Sequence, residues 1–145
     1  MKLSDMKIDN DRLEQGAWVG DIPEMGDLRL KVRGFGNADF RRLQQRLYDA
    51  EPRQFKIGGR LDPERQDAIL STCMLTTILI DWDGVTGDDG QPVAYSRDLA
   101  KTLLTEPEYR RFREAVSWAA GTVAETSDAD QKDAEGNSVP PSSGS

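Results

Sequence analysis

Cys73-Met74-Leu75-Thr76-Thr77-Ile78-Leu79-Ile80-Asp81-Trp82-Asp83-Gly84-Val85 is the stretch on which the fold turns. Cys73, Met74, Leu75, Ile78, Leu79 and Ile80 leave little polar surface, and a helical threonine can hide its hydroxyl on a backbone carbonyl. A helix that is apolar almost all round is normally central and buried. Just upstream, Asp62-Pro63 places a capping aspartate before a proline at the first helical position. The expectation is one core helix over residues 62–81, its end covered by Trp82.

The residues after Trp82 read as a structural joint. Gly84, Gly87 and Gly90 permit positive φ, and Asp89-Gly90 is a tight-turn signal. Pro92 stops helical continuation, and Tyr95 before the cap Ser96 is placed to pack back like a staple. The expected structural turn is thus built on Trp82, Gly84, Gly90, Pro92 and Tyr95. The acidic residues suggest a calcium loop, which needs oxygen ligands at positions 1, 3 and 5, glycine at 6 and glutamate at 12. Starting at Asp81 puts Val85 and Thr86 at 5 and 6. Starting at Asp83 puts Val85 at 3 and Asp88 at 6. Neither register works.

Moving outward, Ser96 opens a short helix over 97–104, and Thr105-Glu106-Pro107-Glu108 has the form of a capping box for a last helix over 106–124. Its apolar stripe is Tyr109, Phe112, Val116, Ala119 or Ala120, and Val123, with Trp118 at the border. Upstream, Asn37 caps a helix over 38–50 with Phe40, Leu43 and Leu47 on one face. Before it, residues 17–33 read as a β-hairpin around Pro23-Glu24-Met25-Gly26. In its second strand Leu28, Leu30 and Val32 alternate with Arg29, Lys31 and Arg33. An isolated hairpin is marginal in water, so its apolar face must rest on the helices or on strands of another copy.

The fold class expected is mainly α with a short N-terminal β-hairpin, a small helical domain of about four helices. Residues 1–14 form a flexible lead-in and 15–125 a single globular domain. From Thr126 the composition turns to Asp, Ser, Gly, Asn and Pro, and a disordered tail is expected over 126–145.

Composition narrows the chemistry. The chain has 145 residues, no histidine and one cysteine, Cys73. The commonest general base and transition-metal ligand is therefore missing, no structural zinc set can be assembled, and no intrachain disulfide can form. We expect no enzymatic activity, no cofactor and no metal. No run is long enough to be a transmembrane helix, and Met1–Lys7 lacks the apolar stretch of a signal peptide.

The net charge of −7 is uneven. Residues 29–60 carry nine basic and three acidic side chains, whereas 126–145 carry one basic and four acidic. An acidic chain with one basic segment is a poor nucleic-acid binder. The best candidate partner surface is Arg29, Lys31 and Arg33 with Arg41, Arg42 and Arg46. The plainer reading is a charged edge that blocks unwanted strand pairing.

Several segments occur in a telling order: Glu14-Gln15-Gly16-Ala17-Trp18-Val19, then Leu28 through Gly34, Asn37-Ala38-Asp39-Phe40, Ile80 through Val85, Asp89 through Ser96, and Leu103-Leu104. Together they resemble the tail assembly chaperones of long-tailed, siphovirus-type bacteriophages. The resemblance covers residues 14–125. It implies a non-enzymatic helper in the host bacterial cytoplasm that keeps the tape-measure protein soluble while tail tube subunits polymerise, and that is absent from the mature virion. Implied partners are the tape-measure protein, the major tail tube protein and further copies of the chain, with no nucleic acid and no membrane. The alternative is a small structural virion protein of the tail or head–tail connector.

Overall fold

The computed structural model describes residues 1–125; the segment 126–145, for which a disordered tail is expected, lies outside the described residues. In chain order the elements are α1 (Asn10–Gln15), β1 (Ala17–Val19), β2 (Arg29–Val32), α2 (Ala38–Ala50), β3 (Lys56–Ile57), β4 (Arg60–Leu61), α3 (Pro63–Cys73), β5 (Leu79–Asp83), α4 (Arg97–Thr105) and α5 (Arg110–Thr122). Single 3-10 turns lie at Leu3–Met6, Arg53–Phe55 and Pro107–Tyr109.

β2 is the centre of a three-stranded antiparallel sheet of order β1-β2-β5. Its alternation sends Leu30 and Val32 inward, both completely buried, and leaves Arg29 exposed. β1 pairs on one side, with Val19 opposite Leu30 and Trp18 opposite Lys31. On the other side β5 pairs Leu30 with Trp82, Lys31 with Asp81 and Val32 with Leu79. The hairpin's central strand therefore packs on α5, whose buried side includes Phe112, Val116 and Ala119, and a third strand comes from its own chain.

This overturns the expectation of a mainly α domain of about four helices with only an N-terminal hairpin. Among the described residues the fold is α+β, with five α-helices, the three-stranded sheet and a two-stranded β3-β4 ribbon. The helix expected over 62–81 is two elements joined without a loop. α3 widens into a π-helical turn over Met74–Ile78, closed by Leu79 N–H donating to Met74 O, and the chain then extends into β5.

The cause is visible in the register. Val32 faces Leu79 while Lys31 faces Asp81, so Ile80 is an extra, bulged residue. A bulge puts two residues opposite one and shifts the alternation. Leu79 and Trp82, both buried, thereby lie three apart instead of two or four. That spacing mimics a helix in a stretch that is extended.

Two polar side chains hold the junction. Thr77 Oγ1 donates to Cys73 O at 2.7 Å, four residues back. Asn37, fully buried, accepts from Phe40 N–H at 2.8 Å as the cap of α2. Its amide donates to Gly34 O at 2.8 Å and to Thr77 O at 3.0 Å. One side chain thus starts α2 and satisfies a carbonyl where the π turn gives way to strand.

Other terminal signals resolve less simply. Asp62 precedes Pro63 at the head of α3 but makes no side-chain cap bond. Thr105 does not form a capping box; its hydroxyl donates to Lys101 O at 2.7 Å. Ser96 accepts from Leu99 N–H at 3.1 Å and caps α4. Ser71 Oγ donates to Leu104 O at 3.1 Å, tying α3 to α4. At the other end α1 docks on the fold: Asp9 N–H donates to Ala124 O, and Gly34 N–H to Leu13 O, each at 2.9 Å.

Candidate partner-binding surface

The six basic residues singled out in the sequence do not form one face. Arg29 and Lys31 stand on the outer side of the sheet. Arg29 lies over the Trp18 ring, 5.4 Å from its centroid. In register, Arg29 is opposite Asp83 and Lys31 opposite Asp81. Opposite charges across a strand pair stabilise it modestly and cancel much of the local positive field. The acidic residues of the supposed turn are, in part, the sheet's own counter-charges.

Arg33 belongs to a second cluster. Its Nε donates to Glu14 O at 2.7 Å, and its Nη2 lies 2.9 Å from Asp39 Oδ2 and 3.6 Å from Glu14 Oε1. Glu14 Oε1 also accepts from Ala38 N–H at 3.1 Å, at the start of α2. Arg42 Nη2 reaches the other oxygen of Asp39 at 2.9 Å. The hydrogen bonds from Arg33 and then Arg42 hold the Asp39 carboxyl below its ordinary range. Arg46 stands one turn beyond Arg42 and is exposed. It has no ion-pair partner among the described residues.

Arg33, Asp39, Arg42, Leu43, Arg46 and Thr76 line a shallow groove of about 350 Å³ between α2 and the π turn. Three guanidinium groups there stand by the carboxylate of Asp39, which pairs with two of them, and Glu14 stands against Arg33 as a second. Arg41, also exposed, lies on α2 outside this groove. Structure thus joins Arg33, Arg42 and Arg46, separates Arg29 and Lys31 from them, and leaves Arg41 apart.

The expected turn residues do gather, although around a strand instead of a helix end. Trp82 Nε1 donates to Val93 O at 2.8 Å, and its ring meets Tyr95 edge-on at 5.0 Å and Phe112 at 5.7 Å. Pro92 pairs with Thr86 as an isolated bridge, and Val93 N–H donates to Val85 O at 2.8 Å, so 85–93 is a small hairpin. Gly90 has φ +81 at its tip, where Asp89 Oδ1 accepts from Gln91 N–H at 3.0 Å. Gly84 has φ +82, and a Cβ there would lie 2.5 Å from Asp27 O. Gly87 does not take positive φ.

Elsewhere Cys73 is buried, which pushes its thiol pKa up and its nucleophilicity down. Among the described residues no three acidic or thiol groups gather as a metal site, and no helix is long and apolar enough to cross a membrane.

Two elements escaped sequence reasoning. The β5 bulge left no period-2 signal. The β3-β4 ribbon did leave one: Gly58 and Gly59, at φ +58 and +80, form a two-residue hairpin loop between Lys56-Ile57 and Arg60-Leu61.

The fold is a small α+β domain with a shallow, charged groove on its surface. Set against known families, the chain matches the YdaY prophage protein family over residues 35–137. That span is most of its length, and the chain belongs to this family, which makes it a phage-derived protein. It begins two residues before Asn37, takes in the Arg42–Arg46 groove, and runs past the last described residue. No curated protein and no solved structure matches the chain.

Proposed function

We propose that this prophage protein is a tail assembly chaperone, a non-enzymatic factor that binds the tape-measure protein in the host cytoplasm and keeps it soluble until the tube forms. One observation carries the reading: the separate segments that resemble such chaperones converge in space. Glu14 meets Arg33 and the head of α2. Gly16 lies under Ile80, a Cβ there coming 2.6 Å from Ile80 Cδ1. Asn37 reaches the π turn, and Trp82 reaches Val93 and Tyr95. Most of these segments thus touch one another pairwise in the fold, and membership of a prophage family supports a phage-associated role.

Many weak copies along one long client generate high avidity without a deep pocket. The exposed charges of Arg29, Lys31, Arg41, Arg42 and Arg46 are the first client contacts to test, with the tail tube protein and further copies as the other partners. Arg33 is excluded from that set because it holds α1 and α2 together.

The test is co-expression with a tape-measure fragment of the same prophage. The chain should raise the soluble fraction of the fragment and co-purify with it, and should be missing from purified particles. An unchanged soluble fraction with no co-purification refutes the proposal. Stoichiometric presence in particles would favour a structural tail or connector protein instead.

A further inference from the structure

We propose that the segment Met1–Ile8 is an arm that docks, in a second copy of this chain, into the cleft between the β1–β2 loop and α5. The segment carries four large apolar side chains that the fold leaves open: Met1 is 99% exposed, Leu3 80%, Met6 57% and Ile8 57%. Single exposed apolar residues are ordinary on a protein surface, but four within eight residues mark a surface that meets something.

The cleft has the matching character. Ile22, Met25, Ala115 and Trp118 line a volume of about 230 Å³, and Trp118 is 40% exposed. The charges at the cleft are Glu24, Arg111 and Glu114, two acids to one base. None of the three has an ion-pair partner among the described residues. The loop over 20–28 adds Asp21 and Asp27 and no base. The arm has the reverse balance, Lys2 and Lys7 against Asp5. Apolar filling with opposed charge on the two sides is the complementarity that fixes register at an interface. The loop is also held in a costly shape: Asp21 and Glu24 take φ +50 and +64. Left-handed backbone at residues other than glycine clusters at ligand clamps, where surrounding structure sustains it.

A second copy is indicated by where the two features sit. Asp9, directly after the arm, donates its N–H to Ala124 O. Gly34, just past β2, lies against Leu13 and Val123. The arm therefore leaves the fold at the finishing end of β2 and α5. The cleft lies at the other end, beside the loop that enters β2. One copy thus leaves both arm and cleft open. At about 3.3–3.6 Å per residue the eight residues reach roughly 26–29 Å, beyond the ~14 Å radius of gyration of a domain this size. The arm can cross to a neighbour, and under two-fold symmetry each copy fills the other's cleft. This deepens the self-association offered with the chaperone reading and rests on that part of it alone. It is measured on the isolated chain, so its failure and a failure of client binding are separate results.

The experiment is analytical ultracentrifugation of the full chain over a dilution series, where the wild type should form a dimer. Leu3→Asp with Met6→Asp disables the arm at exposed positions. Trp118→Lys blocks the cleft, and Glu114→Lys takes its place if circular dichroism shows that Trp118→Lys disturbs α5. Losing even one leucine-sized side chain from each contact should weaken association more than about tenfold. An equimolar mixture of arm and cleft variants keeps one intact contact and should associate more tightly than either variant alone. A wild-type chain that stays monomeric, variants that dimerise as the wild type does, or a mixture no tighter than its parts overturns the proposal. A Trp118 indole NMR resonance that moves in the arm variant regardless of dilution also overturns it, by placing the arm in its own copy's cleft.

Discussion

Replacing Asn37 tests the junction between helix and strand. Its side chain makes three hydrogen bonds at full burial: one accepted from Phe40 N–H, and two donated, to Gly34 O and Thr77 O. Gly34 O keeps a second donor, Asn37 N–H at 3.0 Å. Thr77 O, at the end of the π turn, takes its side-chain donor from Asn37. In Asn37→Ala the lost cap costs about 1 kcal/mol, and an unsatisfied buried carbonyl adds about 1–3 kcal/mol. The expected loss is about 2–4 kcal/mol, a large part of the roughly 5–15 kcal/mol typical of a domain. Asn37→Ser separates the two terms, because serine retains the cap but is too short to reach Thr77. It should lose only about 1–3 kcal/mol. Urea unfolding with an unchanged slope reads both. If Asn37→Ser is as stable as wild type while Asn37→Ala is not, Asn37 is merely a helix cap and the bridging argument fails. If neither is destabilised, the buried network itself is misassigned.

Other expectations rest on the same logic. Gly84→Ala meets both a positive φ and a backbone oxygen 2.5 Å from the new Cβ, whereas Gly90→Ala meets the same φ with nothing within 4 Å. Gly90→Ala should therefore cost about 1–2 kcal/mol and Gly84→Ala distinctly more by thermal or urea unfolding; equal costs would deny the close approach of β5 to Asp27. Trp82→Phe removes the indole bond to Val93 O and should cost about 1–3 kcal/mol, with faster amide exchange at Val93; unaltered exchange would show that the indole does not hold the 85–93 hairpin. Asp39 is lowered below its ordinary value of 3.8 by Arg33 and Arg42. Its contribution is fully present above that value and is lost as pH falls through the lower, folded-state pKa. Asp39→Asn should accordingly make stability fall less steeply on acidification below about pH 4 at low salt, and an identical acid limb would show that these ion pairs contribute nothing.

Much of the fold was legible because local chemistry there stands alone. Asn37 before an amphipathic run, the alternation of Leu28 to Arg33, and Ser96 before α4 are signals that tertiary packing reinforced. The run from Met74 to Asp83 was not legible because two irregularities cooperate in it. The π turn keeps the helix apolar on several sides, and the Ile80 bulge then shifts the strand out of alternation. With β5 hidden, Asp81 and Asp83 looked like turn acids, although they face Lys31 and Arg29 across the sheet. The candidate surface was legible as composition but not as geometry. Arg33, Arg42 and Arg46 meet only because Asp39 and the π turn bring the end of β2 against α2, a relation that depends on folding β5 into the sheet.

The loopless passage from α3 through the π turn into β5 also sets how this protein can change length. In a helix joined directly to a strand, one inserted or deleted residue rotates the helix by about 100° and turns every later side chain to the opposite sheet face. Most of residues 63–83 has no slack to absorb that. The two exceptions lie side by side: the π turn and the bulge each hold one residue more than regular geometry needs. Length variants of this protein are therefore expected to be viable at Met74–Ile80 and ruinous a few residues to either side, so the segment that most resists reading is also the one where the fold can be edited.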